Sequence, residues 1–462
     1  MLKFWSSLLI VLMMITVSGA VKALSETSRQ PRSQLSVEIH LENTNDWVSA
    51  EYKLSKPVNH LDLGFAHDNL ELQLTSWKIE TPELAFGILD QRIVLHSKDN
   101  KPFKTAKIRL YPSEQSLPGQ YRSLVRMNAD DLILYTGHIH PFTAMGMRVR
   151  SRWFGLPDAQ TAMNIAKHPA FVYFGSRPPT DLGLLNLSIS DDVPVWIENT
   201  IKTLAPLVVA KLTEQFDVLP GAKPTLFVRM DQMSDRNGFL FSGDALPGQI
   251  MISLQGHSWM KHTPQGKDII ESGTTHELVH LWQSILRPAG EGVPDWLHEG
   301  SADALANEVL LAVGRRSIRQ IEAIRTTARQ TCSQSLVEPL PEAFIKLTGT
   351  RLASASYACG HWMALIAGEG LFGKSAFPVI RFWQSYLPTS RKSGYDKAMW
   401  FNQIISHHPD PKAGAALAGD LDLFPKTIWS NPSRKLRTMR ERAQLAYKNS
   451  RVASPNLSDG TN

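Results

Sequence analysis

Ten residues constrain this chain more than any others. Thr274 to Gln283 read TTHELVHLWQ, placing His276 and His280 four apart with Glu277 next to the first. On an α-helix, residues four apart share a face. A helix there aims both imidazoles at one point, and two neutral imidazoles about 2.0–2.1 Å from the ion are standard zinc ligation. Glu277 lies close enough to hold a metal-bound water but is angled away from direct ligation, which makes it a general base beside a Lewis acid. Catalytic zinc needs a third protein ligand and an open position. Eighteen residues separate His280 from Glu299, which stands in WLHEGSAD, Trp296 to Asp303. Pro288, Gly290, Gly292 and Pro294 make a turn between the two segments. A helix–turn–helix hairpin therefore returns the start of the second helix to the first, with Glu299 as third ligand. His298 is the alternative third ligand, although neighbours on a helix point about 100° apart.

HELVH, eighteen residues, then Glu within WLHEGSADA resembles the gluzincin metallopeptidases, and most closely the aminopeptidase N-like family. That family has His-Glu-x-x-His, eighteen residues, and Glu within Trp-Leu-Asn-Glu-Gly; this chain has His298 in place of the Asn. The resemblance implies one zinc ion per chain, held by His276, His280 and Glu299, with Glu277 as catalytic base. It also implies that Asp303, four beyond Glu299, is a partner that orients a ligand histidine. Tyr357 lies fifty-eight beyond Glu299, in Ser356-Tyr357-Ala358-Cys359-Gly360. It matches the family's Tyr-x-x-Gly, whose phenol donates to the oxyanion. The family's Gly-x-Met-Glu-Asn, which anchors a substrate's free amino end, has no match. Its place corresponds to Leu246–Ser253, where Gly248 and Gln249 are the candidate substrate-binding residues. A metzincin would need Gly and His three and six residues after the second His, where this chain has Gln283 and Leu286.

The first residues read as a signal peptide, 1–23. Lys3 precedes a largely apolar run, Phe4 to Val17, and small residues follow, with cleavage expected after Ala20 or Ala23. The alternative, an uncleaved anchor, needs roughly 20 apolar residues to span a bilayer. No later segment is long and apolar enough to cross, so the mature chain is expected without a transmembrane segment, and exported to the periplasm or secreted. An oxidising compartment permits a disulfide between the two cysteines, Cys332 and Cys359. Sequence leaves that open against two buried small hydrophobes. The net charge of +6 comes with no block of five like charges, and no nucleic-acid partner is expected.

At 462 residues the chain is too long for one core. Leu35, Val37, Ile39 and Leu41 alternate with polar residues, and short runs recur at Leu70–Leu74, Ile93–Leu95, Lys107–Tyr111 and Leu132–Tyr135. Such spacing predicts a β-sandwich-like domain over 34–150. Residues 165–310 read as an α+β domain, which the resemblance implies is a thermolysin-like gluzincin domain. It has a helix over Val195–Phe216, strands at Thr225–Met230 and Gly248–Leu254, and helices over 268–286 and 296–313. Residues 311–450 read as a helical bundle, with segments near 316–330, 354–368, 375–387 and 395–407. Ser433–Arg451 is a basic helix, solvated or facing an anionic surface, and 451–462 a disordered tail. The fold class is multidomain α+β.

The function expected is hydrolysis of peptide bonds in a peptide or protein substrate by a zinc-activated water. A catalytically weak zinc scaffold of peptidase fold, or a zinc hydrolase of a non-peptide substrate, is the alternative. Exo- or endo-action and oligomeric state are not readable from the sequence.

Overall fold

The computed structural model describes residues 34–64, 73–89, 92–113, 121–144, 147–157, 168–219, 223–231, 237–285, 293–336, 350–393, 396–424 and 431–453. Residues 1–23, expected from the sequence to be a signal peptide, lie outside them. The chain divides into two compact units, Met1–Phe174 and Gly175–Asn462.

The first unit is built of strands. They are β1 (Gln34–Asn43), β2 (Val48–Val58), β3 (His60–Leu63), β4 (Trp77–Ile79), β5 (Leu84–Leu89), β6 (Arg92–Ser97), β7 (Phe103–Leu110), β8 (Leu124–Arg126), β9 (Leu132–Tyr135), β10 (Thr143–Ala144), β11 (Met147–Phe154) and β12 (Phe171–Phe174). The largest sheet runs β10-β11-β1-β2-β7-β4, and two smaller sheets run β12-β9-β8 and β3-β6-β5. The period-two pattern works as alternation should. Leu35, Val37, Ile39 and Leu41 are buried, and they share one apolar cluster with Tyr52, Leu95, Ile108, Leu134 and Val172. The expected strand at Leu70–Leu74 is not formed where it is described: Gln73 and Leu74 are helical, and residues 70–72 fall outside.

The second unit is α+β. Its sheet contains β13 (Thr180–Asp181), β14 (Asn186–Ile189), β15 (Thr225–Met230), β16 (Leu240–Leu246) and β17 (Gln249–Gln255), in the order β13-β14-β15-β17-β16. β14, β15 and β17 are mutually parallel, and β16 closes the edge antiparallel to β17. Parallel neighbours need a crossover. The helix α1 (Val195–Phe216) supplies the one between β14 and β15, and it begins after Pro194. Then follow α2 (Pro264–Ile285), a π-helical turn (Trp296–Gly300), α3 (Ser301–Ala312), α4 (Ile318–Ser335), α5 (Thr350–Phe372), α6 (Pro378–Ser393), α7 (Lys397–His407), α8 (Pro411–Leu423) and α9 (Pro432–Ala453). α9 continues three residues into the segment expected as a tail.

One apolar cluster runs through this unit, from Ile201 and Ile252 through Val279 and Leu305 to Met363, Phe382 and Leu436. The expected zinc and helical segments therefore share a core. Cys332 of α4 and Cys359 of α5 are joined by a disulfide, with Cα atoms 4.7 Å apart. Three ion pairs tie the helices together, the first of them fully buried. Glu308 of α3 accepts from Arg325 of α4 at 2.9 Å and from the backbone amides of Val379 and Ile380 at the start of α6. Arg440 of α9 donates to Glu369 of α5, and Arg316 reaches Asp268 of α2 at 2.8 Å.

Candidate active site

α2 is buried on nearly every side around its motif. Thr274, Thr275, Leu278, Val279 and Leu281 are all in the interior. That leaves the His276–His280 face to meet the π-helical turn. π turns recur at functional sites because the extra residue re-aims a side chain, and this one delivers Glu299. His276 Nε2 lies 3.0 Å from Glu299 Oε2 and 3.0 Å from His280 Nε2, and His280 Nε2 lies 3.3 Å from the same carboxylate oxygen. Among the described residues, these three form the one group of His, Cys, Asp or Glu able to hold a metal ion. His298 is not part of it: its ring stacks on His280 at 4.5 Å and its Nε2 stays 4.0 Å from Glu299 Oε1.

A second partner orients His280. His280 Nδ1 lies 2.6 Å from Gln283 Oε1, an acceptor, so that nitrogen carries the proton and Nε2 is left with its lone pair toward the cluster. Gln283 is held in turn, because its amide donates to the His298 carbonyl at 3.1 Å and to Ser301 Oγ at 3.3 Å. Burial by itself would raise the Glu299 carboxyl. The adjacent His280 and His276 outweigh it and keep the group well below the usual carboxylate range.

Glu277 is 7% exposed, and burial pushes its carboxyl up, with the two histidines opposing. Its place depends on β16. Phe241 and Gly243 are two apart on one face of that edge strand. Phe241 packs at Gly273 and Gly243 packs at Glu277, four apart on α2, so strand and helix steps match. A Cβ on Gly243 would overlap the Glu277 carboxyl.

Tyr357 comes from α5. Its hydroxyl donates to Glu299 Oε2 at 2.9 Å, and the side chain is 39% exposed. Burial and the Glu299 charge push the phenol far up, so it stays a neutral donor. α5 reaches this position because Gly360 faces Gly300 and the Trp296 carbonyl, backbone against backbone, where a Cβ on either glycine would overlap the other helix.

The structure thus brings His276, Glu277, His280, Glu299 and Tyr357 together. The hydrogen bond expected of Asp303 is to a ligand histidine; the one it makes is with His361 Nδ1, at 2.6 Å. Gly248 and Gln249 are not brought to the cluster. Gly248 sits in the β16–β17 turn at φ 78°, and Gln249 is buried in β17, paired with Leu246. Gly243 is three steps further along the hairpin, about 10 Å at strand spacing. Gln283, Gly243 and His361 take part in the site without belonging to any motif of the sequence. Gln283 lies three beyond His280 on the same face, and His361 lies four beyond Tyr357, so helical spacing was the available signal for both. Gly243 had none, because its role is a close approach between distant segments.

Fold and site define the class: a strand-built unit followed by an α+β unit that carries an HExxH helix, a downstream Glu and a neutral phenol around one point. No family model matches the chain, and no curated protein matches it. Solved structures do share its fold. An aminopeptidase N family protein from Idiomarina loihiensis superposes with a TM-score of 0.58 at 13% identity, over 87% of this chain and 78% of that one. Yeast LTA4 hydrolase, in complex with Bestatin, gives 0.50 at 12% identity, over 89% of this chain and 72% of that one. Among the described residues, no helix is long and apolar enough to cross a membrane.

Proposed function

We propose that this chain is an exported zinc metallopeptidase that hydrolyses peptide bonds. The observation that carries the reading is the convergence of His276 Nε2, His280 Nε2 and Glu299 Oε2, 3.0–3.3 Å apart, beside a buried Glu277. Ligands about 2.0–2.1 Å from a tetrahedral ion stand about 3.3 Å from one another, so the donor set fits one zinc per chain in both chemistry and spacing. Bound there, zinc supplies Lewis-acid polarisation and a lowered pKa for water.

The chain's own residues do the rest. Gln283 fixes the His280 tautomer, and Glu299 neutralises part of the metal charge. Glu277, buried beside the two histidines, takes a proton from the attacking water and passes it to the leaving nitrogen. Tyr357 donates its hydroxyl hydrogen to the carbonyl oxygen as negative charge develops there. The name of the Idiomarina loihiensis neighbour supports peptide as the substrate class. The Cys332–Cys359 disulfide supports an oxidising compartment after removal of residues 1–23.

The test is the mature chain from about Leu24 beside Glu277→Gln, each assayed for bound zinc and incubated with a mixed peptide library read by mass spectrometry. One zinc in both, with cleavage in the wild type alone, is the expected result. Fragment ends then distinguish exo- from endo-action. Zinc without cleavage of any peptide would refute peptidase action, and absence of zinc from both would refute the site.

A further inference from the structure

Two hydrogen bonds link the segment carrying Glu299 to α5, and they repeat one another. Tyr357 donates to Glu299 Oε2 at 2.9 Å; His361 Nδ1 donates to Asp303 Oδ2 at 2.6 Å. Both pairs are fifty-eight residues apart in sequence. Glu299 and Asp303 are four apart, as are Tyr357 and His361, so each pair stands on one helical face. The Gly300–Gly360 crossing falls between the two bonds. The first bond belongs to the site already described. The second has no part in the reaction as written, yet it is the better buried: His361 is 2% exposed.

The glycine crossing sets how closely the two helices approach; the core packing of α5 and the Cys332–Cys359 disulfide set their angle coarsely, and a directional bond beside the crossing refines it. A short bond between an ionised carboxylate and an imidazole N–H is strongly directional. Its net effect on stability is small, because the Asp303 carboxylate stays partly in water, which screens the attraction. What such a bond contributes here is angle. Asp303 stands one helical turn beyond Glu299 on the same segment, so the angle set at this bond is carried to the ligand.

We propose that His361 is a positioning residue of the candidate active site: through Asp303 it sets the rotation of the Glu299 segment against α5, and so the placement of Glu299 Oε2 and the Tyr357 hydroxyl. This rests on the metallopeptidase reading.

The test uses two polar replacements of similar size in the full mature chain. In His361→Asn the side-chain amide nitrogen stands where Nδ1 stood and can still donate to Asp303. In His361→Gln the amide nitrogen stands where Nε2 stood and misses it. The measurements are kcat and KM on a cleaved peptide, the zinc dissociation constant by competition with a chelator, and the melting temperature. His361→Gln is expected to lower kcat about 10- to 100-fold and to weaken zinc about tenfold, with KM little changed. His361→Asn should stay within about threefold of wild type on both. In a Tyr357→Phe background, His361→Gln should lower kcat little further, because residues that act as a unit are non-additive. Equal kcat and zinc affinity in the Asn and Gln variants would overturn the proposal, and so would full multiplication of the His361→Gln and Tyr357→Phe losses. If the wild type binds zinc but cleaves nothing, the metallopeptidase reading has failed. The zinc affinities then still decide this inference, differing about tenfold between Asn and Gln if it holds and coinciding if it does not.

Discussion

Gly243→Ala should separate catalysis from folding in this chain more cleanly than any change at a ligand. Gly243 lies in the edge strand β16, opposite Ile252 of β17, and its backbone is not in the left-handed region. Alanine is therefore acceptable to the strand, where glycine costs roughly 0.5–1 kcal/mol relative to it. The obstacle lies at one place. A Cβ at 243 would sit about 1 Å inside the 3.4 Å at which ordinary van der Waals contact begins, and the atoms it meets are Cγ, Cδ and Oε1 of Glu277. These are the far end of a side chain that can rotate, whereas the strand and helix backbones on either side are fixed by the core. The carboxylate should yield by about 1 Å. A displacement of that size in a catalytic group costs about a hundredfold in rate, equivalent to about 2.7 kcal/mol in the barrier. None of the metal-binding atoms is touched. The assay compares kcat/KM on a cleaved peptide, bound zinc and melting temperature for wild type and Gly243→Ala. Expected are one zinc, an equal or slightly higher melting temperature, and about a hundredfold lower kcat/KM. Wild-type turnover with full zinc occupancy would refute the reasoning, since Glu277 would then not be held where the base is needed. A large fall in melting temperature would refute it differently, by showing that the backbone and not Glu277 takes up the clash.

Gly360→Ala should behave in the opposite way. Its Cβ would meet the Trp296 carbonyl and the Gly300 Cα, backbone atoms that cannot rotate away, so thermal unfolding should show a loss of about 1–3 kcal/mol together with reduced turnover. His276→Ala or His280→Ala should remove both bound zinc and peptide cleavage, and dialysis of the wild type against a chelator should do the same reversibly on zinc return. Gln283→Leu removes the acceptor that sets the His280 tautomer and should weaken zinc about 10- to 100-fold in chelator competition. Replacing Cys332 and Cys359 together by Ala opens a cross-link between residues 27 apart, and the denaturant midpoint should show a loss of about 3.5 kcal/mol on the chain-entropy account.

Local periodicity was enough to determine several parts of this protein from its sequence. The helix Val195–Phe216 and the strand Thr225–Met230 fall at the expected residues, and four of the five expected strands of the first unit are formed. His276 and His280 were readable as a pair for the same reason: four residues on a helix is a distance as well as a count. Glu299 needed one further assumption, that the turn between the two helices closes. Tertiary structure alone decided the rest. Whether Glu299 or His298 faces the cluster depended on a π turn, which no composition signal marks. The Cys332–Cys359 pairing depended on α4 lying against α5. Asp303 was expected beside a ligand histidine; the histidine it holds is His361, from a helix fifty-eight residues away. Gly248 and Gln249 lie at the turn of the hairpin whose Gly243 packs at Glu277, and sequence carries no record of which strand residue makes that approach. Sequence spacing determines which side chains share a face of one element. Which faces then meet is set by packing between elements distant in the chain, here by Gly243 against α2 and Gly360 against the π turn.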